Sequence, residues 1–206
     1  MAAPASLLLA TRNPHKLEEL RRLLAPARIA VEPLPAGVAL PPEGGETFAA
    51  NALPKALAAA TATGRVAIAD DSGIEARALG GAPGVLSARF AGPDASDEQN
   101  LSKLMREVPA GSQLRYVCAL AYVDPGSGSE RLFLGKCRGR LADSPRGSRG
   151  FGYDPAFLPD EDSTGRTMAE LTDREKDEIS HRGRAVKALL EWWLEGSAVP
   201  EPATSD

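Results

Sequence analysis

The chain is short of four things, and each shortage removes a class of function. It has two cysteines and two histidines in 206 residues. Neither pair stands at metal-ligand spacing, so no Cys/His zinc set is expected. No apolar run approaches the roughly 20 residues of a membrane-spanning helix. Basic residues are not in excess: 24 Lys and Arg face 28 Asp and Glu, a net charge of −4. That balance gives no footprint for a nucleic-acid backbone, although a local basic cleft stays open. The opening MAAPASLLLATRN has an apolar run without a basic n-region, so it does not read as a secretory leader. These shortages point to a soluble, cytoplasmic protein whose partner is a small polyanion rather than a nucleic acid or a membrane. Cys118 and Cys137 lie in strand-like runs either side of a turn and are expected as free thiols, neighbours across a hairpin.

What is present is an α/β pattern. A hydrophobic fraction of 43% and a charged fraction of 25% suit a globular chain. SLLLA, residues 6–10, is the continuous apolar run of a strand buried on both faces. RNPHKLEELRRLL follows, with Asn13 suited to an N-cap, Pro14 to the first helical position, and Leu17, Leu20 and Leu24 sharing one face. A short strand near residues 29–31 leads into the loop LPAGVALPPEGGE. TFAANALPKALAAATATG, residues 47–64, reads as a helix ending near Gly64, with Pro54 expected to kink or restart it. RVAIA is the next buried strand and is expected to end at Asp70 and Asp71. SDEQ (96–99) and TDRE (172–175) are capping boxes. QLRYVCALAYVD and ERLFLGKCRGRLA flank PGSGS as a long β-hairpin. A last helix runs through AVKALLEWWLE, and residues 196–206 read as a disordered tail. Together these predict one domain over residues 1–206, with a mixed sheet flanked by helices and two lobes around a cleft.

Four polar clusters interrupt the scaffold. Thr11, Arg12, Asn13 and Lys16 stand at a strand-to-helix junction, where free N–H groups and a lysine make a phosphate site. An ordinary capped helix with solvated charges is the plainer reading, and no Walker-type glycine loop is present. Glu43, in PPEGGETF, and Lys55, on the next helix, are either solvated charges or part of a site. Asp70, Asp71, Ser72 and Gly73 close an apolar run where α/β proteins tend to bind ligands. Carboxylates there suit Mg²⁺, which takes a few acidic ligands with waters and phosphate oxygens; two solvated aspartates in an Asx-turn are the alternative. Successive strand residues point to opposite sides, so Asp71 is expected to face the cleft and Asp70 the scaffold. The fourth cluster is split between GSRGFGYDP (147–155) and EKDEISHRGRA (175–185). Phe151 and Tyr153 offer ring faces to a nucleobase, and Lys176, His181 and Arg182 offer donors. A capped surface helix over a buried Phe151 would read the same.

LLLATRNPHKLEEL, TFAANALPKA, AIADDSGIEARALGGAPGVLSARFAG, GFGYDPAFLP and AELTDREKDEISHRGRA follow one another over residues 7–185. In this order they resemble the inosine triphosphate pyrophosphatase family, whose bacterial members are dITP/XTP pyrophosphatases. The resemblance implies an elongated α/β fold with a long mixed sheet, two lobes, a central cleft and assembly as a homodimer. It implies Mg²⁺-dependent hydrolysis of ITP, dITP and XTP to the monophosphate and pyrophosphate. It places the phosphate loop on Thr11, Arg12, Asn13, Pro14, His15 and Lys16, and a further phosphate lysine on Lys55. Glu43 takes the place of a metal-binding glutamate. Asp71 takes that of the metal-binding proton acceptor, with Ser72 as a substrate contact. Phe151, Gly152, Tyr153, Asp154, Lys176, His181 and Arg182 fall in the segments that hold base and sugar. Two positions depart from the family pattern. Arg12 stands where glycine is usual, either adding a phosphate contact or pointing to solvent, and Pro54 replaces an aliphatic residue beside Lys55.

No serine, cysteine or lysine nucleophile has an activating neighbour in the sequence, so direct attack by water on the α-phosphorus is expected. Two other functions compete. A pyrophosphatase for other modified nucleotides would keep the phosphate machinery and change the base pocket. A sensor would bind nucleotide without turnover, and the presence of Glu43 together with Asp71 favours an enzyme over it.

Overall fold

The computed structural model describes residues 4–197. Six strands form one mixed sheet in the order β2-β1-β3-β4-β5-β6. β1 (Ser6–Leu9) runs parallel to β2 (Ala30–Pro33) and to β3 (Ala67–Ala76). β4 (Gln113–Asp124), β5 (Ser129–Leu141) and β6 (Phe157–Pro159) continue the sheet antiparallel. The helices are α1 (Pro14–Leu24), α2 (Phe48–Thr63), α3 (Asp97–Glu107), α4 (Asp173–Ile179) and α5 (His181–Ser197). The expected mixed sheet flanked by helices is therefore the observed one.

Both faces of the sheet are covered at β1, β3 and β4, which is why β1 reads as an unbroken apolar run, whereas one face of β5 is exposed. Leu7, Leu9, Ile68 and Leu120 pack with Leu20 and Leu24 of α1 and Leu189 and Trp193 of α5. Leu8, Ala67, Ala69, Ala119 and Ala121 pack with Ala52, Ala56 and Ala59 of α2. A third cluster joins Leu104 of α3 to Tyr116, Cys137 and Phe157. Asn13 caps α1 by accepting from the N–H groups of His15 and Lys16, and both capping boxes form. Ser180 separates α4 from α5 in an extended conformation, and its hydroxyl accepts from Gly183 N–H to cap the second helix.

Four expectations need correction. α2 runs unbroken through Pro54; the ring is exposed, and the carbonyl it leaves without a donor belongs to the exposed Ala50, within reach of water. β3 does not stop at the aspartates: β1 ends at Leu9, opposite Ile68, while β4 stays paired with β3 from Ala67 to Ala76. Between Ile68 and Ile74, where the segment around Pro83 and Ser87 takes over, β3 has one bonded strand neighbour and an edge left free by β1, and Asp70, Asp71 and Ser72 lie on that stretch. The cysteines are not cross-strand partners, because Cys118 faces Gly135 and Cys137 faces Tyr116; both are buried free thiols, as expected. Finally, α5 takes in Gly196 and Ser197, and the rest of the expected tail lies outside the described residues. No helix among the described residues is long and apolar enough to cross a membrane.

Candidate active site

Where β1 stops, the chain turns at once into α1, and the gap beside β3 becomes a cavity of about 440 Å³, the size of a small-ligand pocket. Thr11, Arg12, Asn13 and Lys16 reach it from the β1–α1 junction, Glu43 and Lys55 from the α2 side, and Asp71 and Ser72 from β3. Phe151, Gly152, Tyr153, Asp154, Lys176, His181 and Arg182 close the other side. Two of the expected residues are not in its walls. Pro14 and His15 are exposed, and His15 instead stacks on Phe151 with ring centroids 5.2 Å apart.

One end of the cavity is built from charges around β3. Lys55 Nζ donates to Glu43 Oε1 at 2.6 Å and to the Asp70 carbonyl at 3.1 Å, and stands 3.7 Å from Asp71 Oδ1. Lys16 Nζ reaches the same carbonyl at 3.5 Å. Pro54 thus leaves Lys55 on the cavity side of α2. Burial raises the Asp71 carboxyl above its ordinary range and outweighs Lys55 and Asn51, which pull the other way. For Glu43 burial also pushes upward, but the Lys55 hydrogen bond and charge win and its pKa falls. Arg12 neither meets the cavity's charges nor points to free solvent. Its guanidinium donates to the carbonyls of Leu34, Pro35, Ala36 and Val38 at 2.8–3.3 Å, pinning the loop after β2.

Among the described residues no three His, Cys, Asp or Glu side chains form a metal cage. Glu43 and Asp71 instead converge as a pair on Lys55. Two oxygen donors leave most of an octahedron to waters and phosphate oxygens, which fits Mg²⁺ and does not fit zinc.

The other end rests on a buried chain of ions. Asp70, fully buried, accepts from Arg182 Nη2 at 2.8 Å and Nε at 3.2 Å. Its Oδ1 lies 3.2 Å from Lys16 Nζ as an ion pair without hydrogen-bond geometry. Glu19 of α1 accepts from Arg182 and, at 2.6 Å, from Lys176, which also donates to Asp154 at 2.6 Å. Asp70 therefore faces the scaffold as expected, but its partners are cations rather than turn hydrogen bonds. Lys176 and Arg182, read from the sequence as free donors, are neutralised by carboxylates. Arg182 keeps two contacts toward the cavity, donating to Ser72 Oγ at 2.8 Å and lying over the Phe151 ring, 5.8 Å from its centroid.

Burial, with Arg182 adding to it, holds the His181 pKa well below its ordinary value, so this imidazole is neutral at pH 7. It stacks on Tyr116 at 4.6 Å, and its Nδ1 has no hydrogen-bond partner among the described residues. Asp154 holds the aromatic loop, accepting from Phe151 N–H at 3.0 Å and from the Tyr116 hydroxyl at 3.1 Å. Tyr153 is wall rather than platform: its hydroxyl donates to the Ser87 carbonyl at 2.7 Å. Phe151, half-buried, is the ring that remains for stacking.

Sequence reading missed Glu19, Asn51 and Asp97. Glu19 sits beside the apolar stripe of α1 and becomes a buried ligand only because α4 and α5, far away in sequence, pack there. Asp97 reads as a first-turn acid, yet its carboxylate also accepts from Gly152 N–H at 2.8 Å. Asn51 left a usable signal, since it lies four residues before Lys55 and so on the same face of α2.

The family resemblance can now be tested against known proteins. A sequence model of the Ham1 family matches residues 7–192. The chain belongs to the Ham1 family. A Ham1 relative named dITP/XTP pyrophosphatase from Symbiobacterium thermophilum is 49% identical over 187 residues, covering 90% of this chain and 93% of its own. A protein of the same name from Cutibacterium acnes is 45% identical over 192 residues, covering 89% and 94%. The solved HAM1 protein of Coxiella burnetii aligns with a TM-score of 0.80 at 37% identity, over 95% of this chain and 100% of its own. A nucleoside-triphosphatase / dITP/XTP pyrophosphatase from Mycobacterium abscessus aligns at 0.69 and 42%, over 90% and 98%. The family read from the five blocks is borne out.

One glycine in the longest of those blocks has a packing reason in this Ham1 chain. A Cβ on Gly73 would lie 2.4 Å from Ser87 Oγ and 2.6 Å from the Gly84 carbonyl. The 3-10 segment Gly84–Arg89 therefore lies directly on β3 at the cavity wall. Gly73→Ala is expected to cost about 1–3 kcal/mol through overpacking, read from the urea midpoint. An unchanged midpoint would show that the segment yields freely.

Proposed function

We propose that this Ham1 protein is a pyrophosphohydrolase of non-standard purine nucleoside triphosphates, converting ITP, dITP and XTP to the monophosphate and pyrophosphate. The observation that carries this reading is a single cavity with a polyanion end (Lys16, Lys55, Glu43 and Asp71) and an aromatic end at Phe151. The names of its relatives support the same substrate class. The chain would act as one domain of two lobes, in the cytoplasm and as a homodimer. Leu132 and Leu134, exposed on one face of β5, are apolar surface that assembly would cover.

Glu43 and Asp71 would hold Mg²⁺. Bound there, the ion supplies positive charge to the phosphate oxygens and to the departing pyrophosphate. Lys16 and Lys55 bind the triphosphate; the N–H groups of His15 and Lys16, expected as free phosphate donors, are already held by the Asn13 cap. Asp71, its carboxyl raised by burial, orients the attacking water and accepts its proton. A purine stacking on Phe151 has to displace His15 or share the ring with Lys176 and Arg182, which lie 5.4 and 5.8 Å from its centroid. Neutral His181 and Ser72 stand in the same wall to meet base or sugar.

Pyrophosphate release from ITP, XTP, dITP, GTP and ATP, with Mg²⁺ and after chelation, tests the reading. The 6-keto substrates lacking a 2-amino group, and XTP, are expected to exceed ATP in kcat/KM by about tenfold or more, the worth of one unmet buried polar group. Chelation is expected to abolish turnover. Equal rates for all five nucleotides would remove base selection, binding without turnover would make the protein a sensor, and full activity after chelation would remove the ion.

A further inference from the structure

We infer that Asn51 is a positioning residue for the reaction: one side-chain amide ties the loop that carries Glu43 to the carboxylate of Asp71 and fixes how that carboxylate is turned. The inference rests on the pyrophosphohydrolase reading above.

Asn51 points from α2 into the molecule and is 4% exposed, among alanines that pack on the sheet. A buried amide there is costly unless its hydrogen bonds are met. They are met from two directions. Oδ1 accepts from Gly45 N–H at 2.8 Å, and Nδ2 donates to Asp71 Oδ2 at 3.0 Å, with a longer reach of 3.5 Å to the Gly45 carbonyl. The orientation of the amide is not arbitrary. A backbone N–H only donates and a carboxylate only accepts, so both contacts demand the same placement of oxygen and nitrogen. The loop can come this close only because residue 45 is glycine: a Cβ there would lie 2.8 Å from Asn51 Oδ1 and 2.8 Å from Ala50 Cβ.

Two consequences follow for the site. With Oδ2 held by Asn51, the plane of the Asp71 carboxylate is set, and Oδ1 is the oxygen turned toward Lys55, 3.7 Å away. The backbone two residues after Glu43 is anchored to the same amide, so the two carboxylates are spaced by a single rigid group on a helix. Asn51 itself is not in the cavity wall. It acts through Asp71 and does not touch substrate.

Asn51→Asp and Asn51→Ala separate the two bonds. The aspartate keeps an acceptor for Gly45 N–H at nearly the same volume but replaces the donor to Asp71 with a like charge; the alanine loses both bonds and adds no charge. For each, kcat and KM for ITP, the melting temperature, and calorimetric binding of the Mg²⁺ complex of α,β-methylene inosine triphosphate are measured. A carboxylate turned from its working geometry is expected to lower kcat by about 10- to 100-fold in both variants. KM and analogue affinity should stay within about threefold, because the lysines hold the phosphates. The melting temperature should fall in both, in Asn51→Ala because the Gly45 N–H is orphaned and in Asn51→Asp because two buried carboxylates then meet. Asn51→Asp with wild-type kcat would reduce Asn51 to a loop tether and overturn the inference, as would a loss of analogue affinity equal to the loss of kcat. If Asn51→Ala does not fold, the aspartate decides alone. A wild-type chain that releases no pyrophosphate sinks the function and this inference together, whereas an active wild type beside an equally active Asn51→Asp sinks only this one.

Discussion

Arg182→Ala is expected to cost about 3–5 kcal/mol of folding stability, the usual effect of breaking a buried ion pair by removing one partner. Arg182 is 1% exposed and lies between two carboxylates that are themselves buried, Asp70 at 0% and Glu19 at 6%. Among the described residues, removing the guanidinium leaves Asp70 with only Lys16, through Oδ1, as a charged partner within 4 Å, and Glu19 with only Lys176. Urea unfolding of the purified variant measures the loss. A midpoint equal to wild type, with a changed ITP to GTP ratio, would make Arg182 a base contact without structural weight. The acid side of the stability curve offers a second check. Burial alone would raise Glu19, but Arg182 and Lys176 pull it from 4.5 down to about 2. Its folded pKa is thus the lower one, and the unfolded chain takes up the proton first as pH falls. The stabilisation from this carboxylate is complete above about pH 4.5 and disappears as the pH approaches 2. With Arg182 removed, that acid-side loss is expected to be smaller.

Asp71→Asn is expected to lower kcat by about 10² or more while leaving nucleotide affinity largely intact. Asparagine keeps the shape of the side chain and loses its charge and basicity, so the attacking water has nowhere to send its proton. Lys16 and Lys55 remain to hold the phosphates. Asp70→Asn is expected to behave differently, lowering the melting temperature by leaving Arg182 short of a counter-charge. The pair is measured under saturating Mg²⁺ for kcat, nucleotide affinity and melting temperature. Turnover destroyed by Asp70→Asn and barely touched by Asp71→Asn would reverse the two roles.

Much of this was legible in the sequence, for reasons that differ element by element. The N-cap at Asn13, the capping boxes at Ser96 and Thr172, and the hairpin around residues 125–129 are local chemistry, and local chemistry determined them. The apolar runs of β1 and of the start of β3 showed that these strands are covered on both faces. The extent of β3 was not legible, because DDSG is as polar as a turn and only its pairing with β4 keeps it extended. Pro54 misleads for a related reason: a missing donor matters little where the freed carbonyl faces water. At the site, the residues the family resemblance named converge on one cavity, except Pro14 and His15. The resemblance did not show that Arg182 and Lys176 are already neutralised. Their partners, Glu19 and Asp70, are recruited by contacts between α1, β3, α4 and α5 that no window of the sequence contains.

The central claim is that water attacks the α-phosphorus and pyrophosphate leaves intact. Hydrolysis of ITP by the full chain in ¹⁸O-labelled water, with the products separated and weighed by mass spectrometry, tests it directly. The expected result is one ¹⁸O in the inosine monophosphate and none in the pyrophosphate. Label in the pyrophosphate, or release of orthophosphate with inosine diphosphate, would place the attack on a different phosphorus and contradict it.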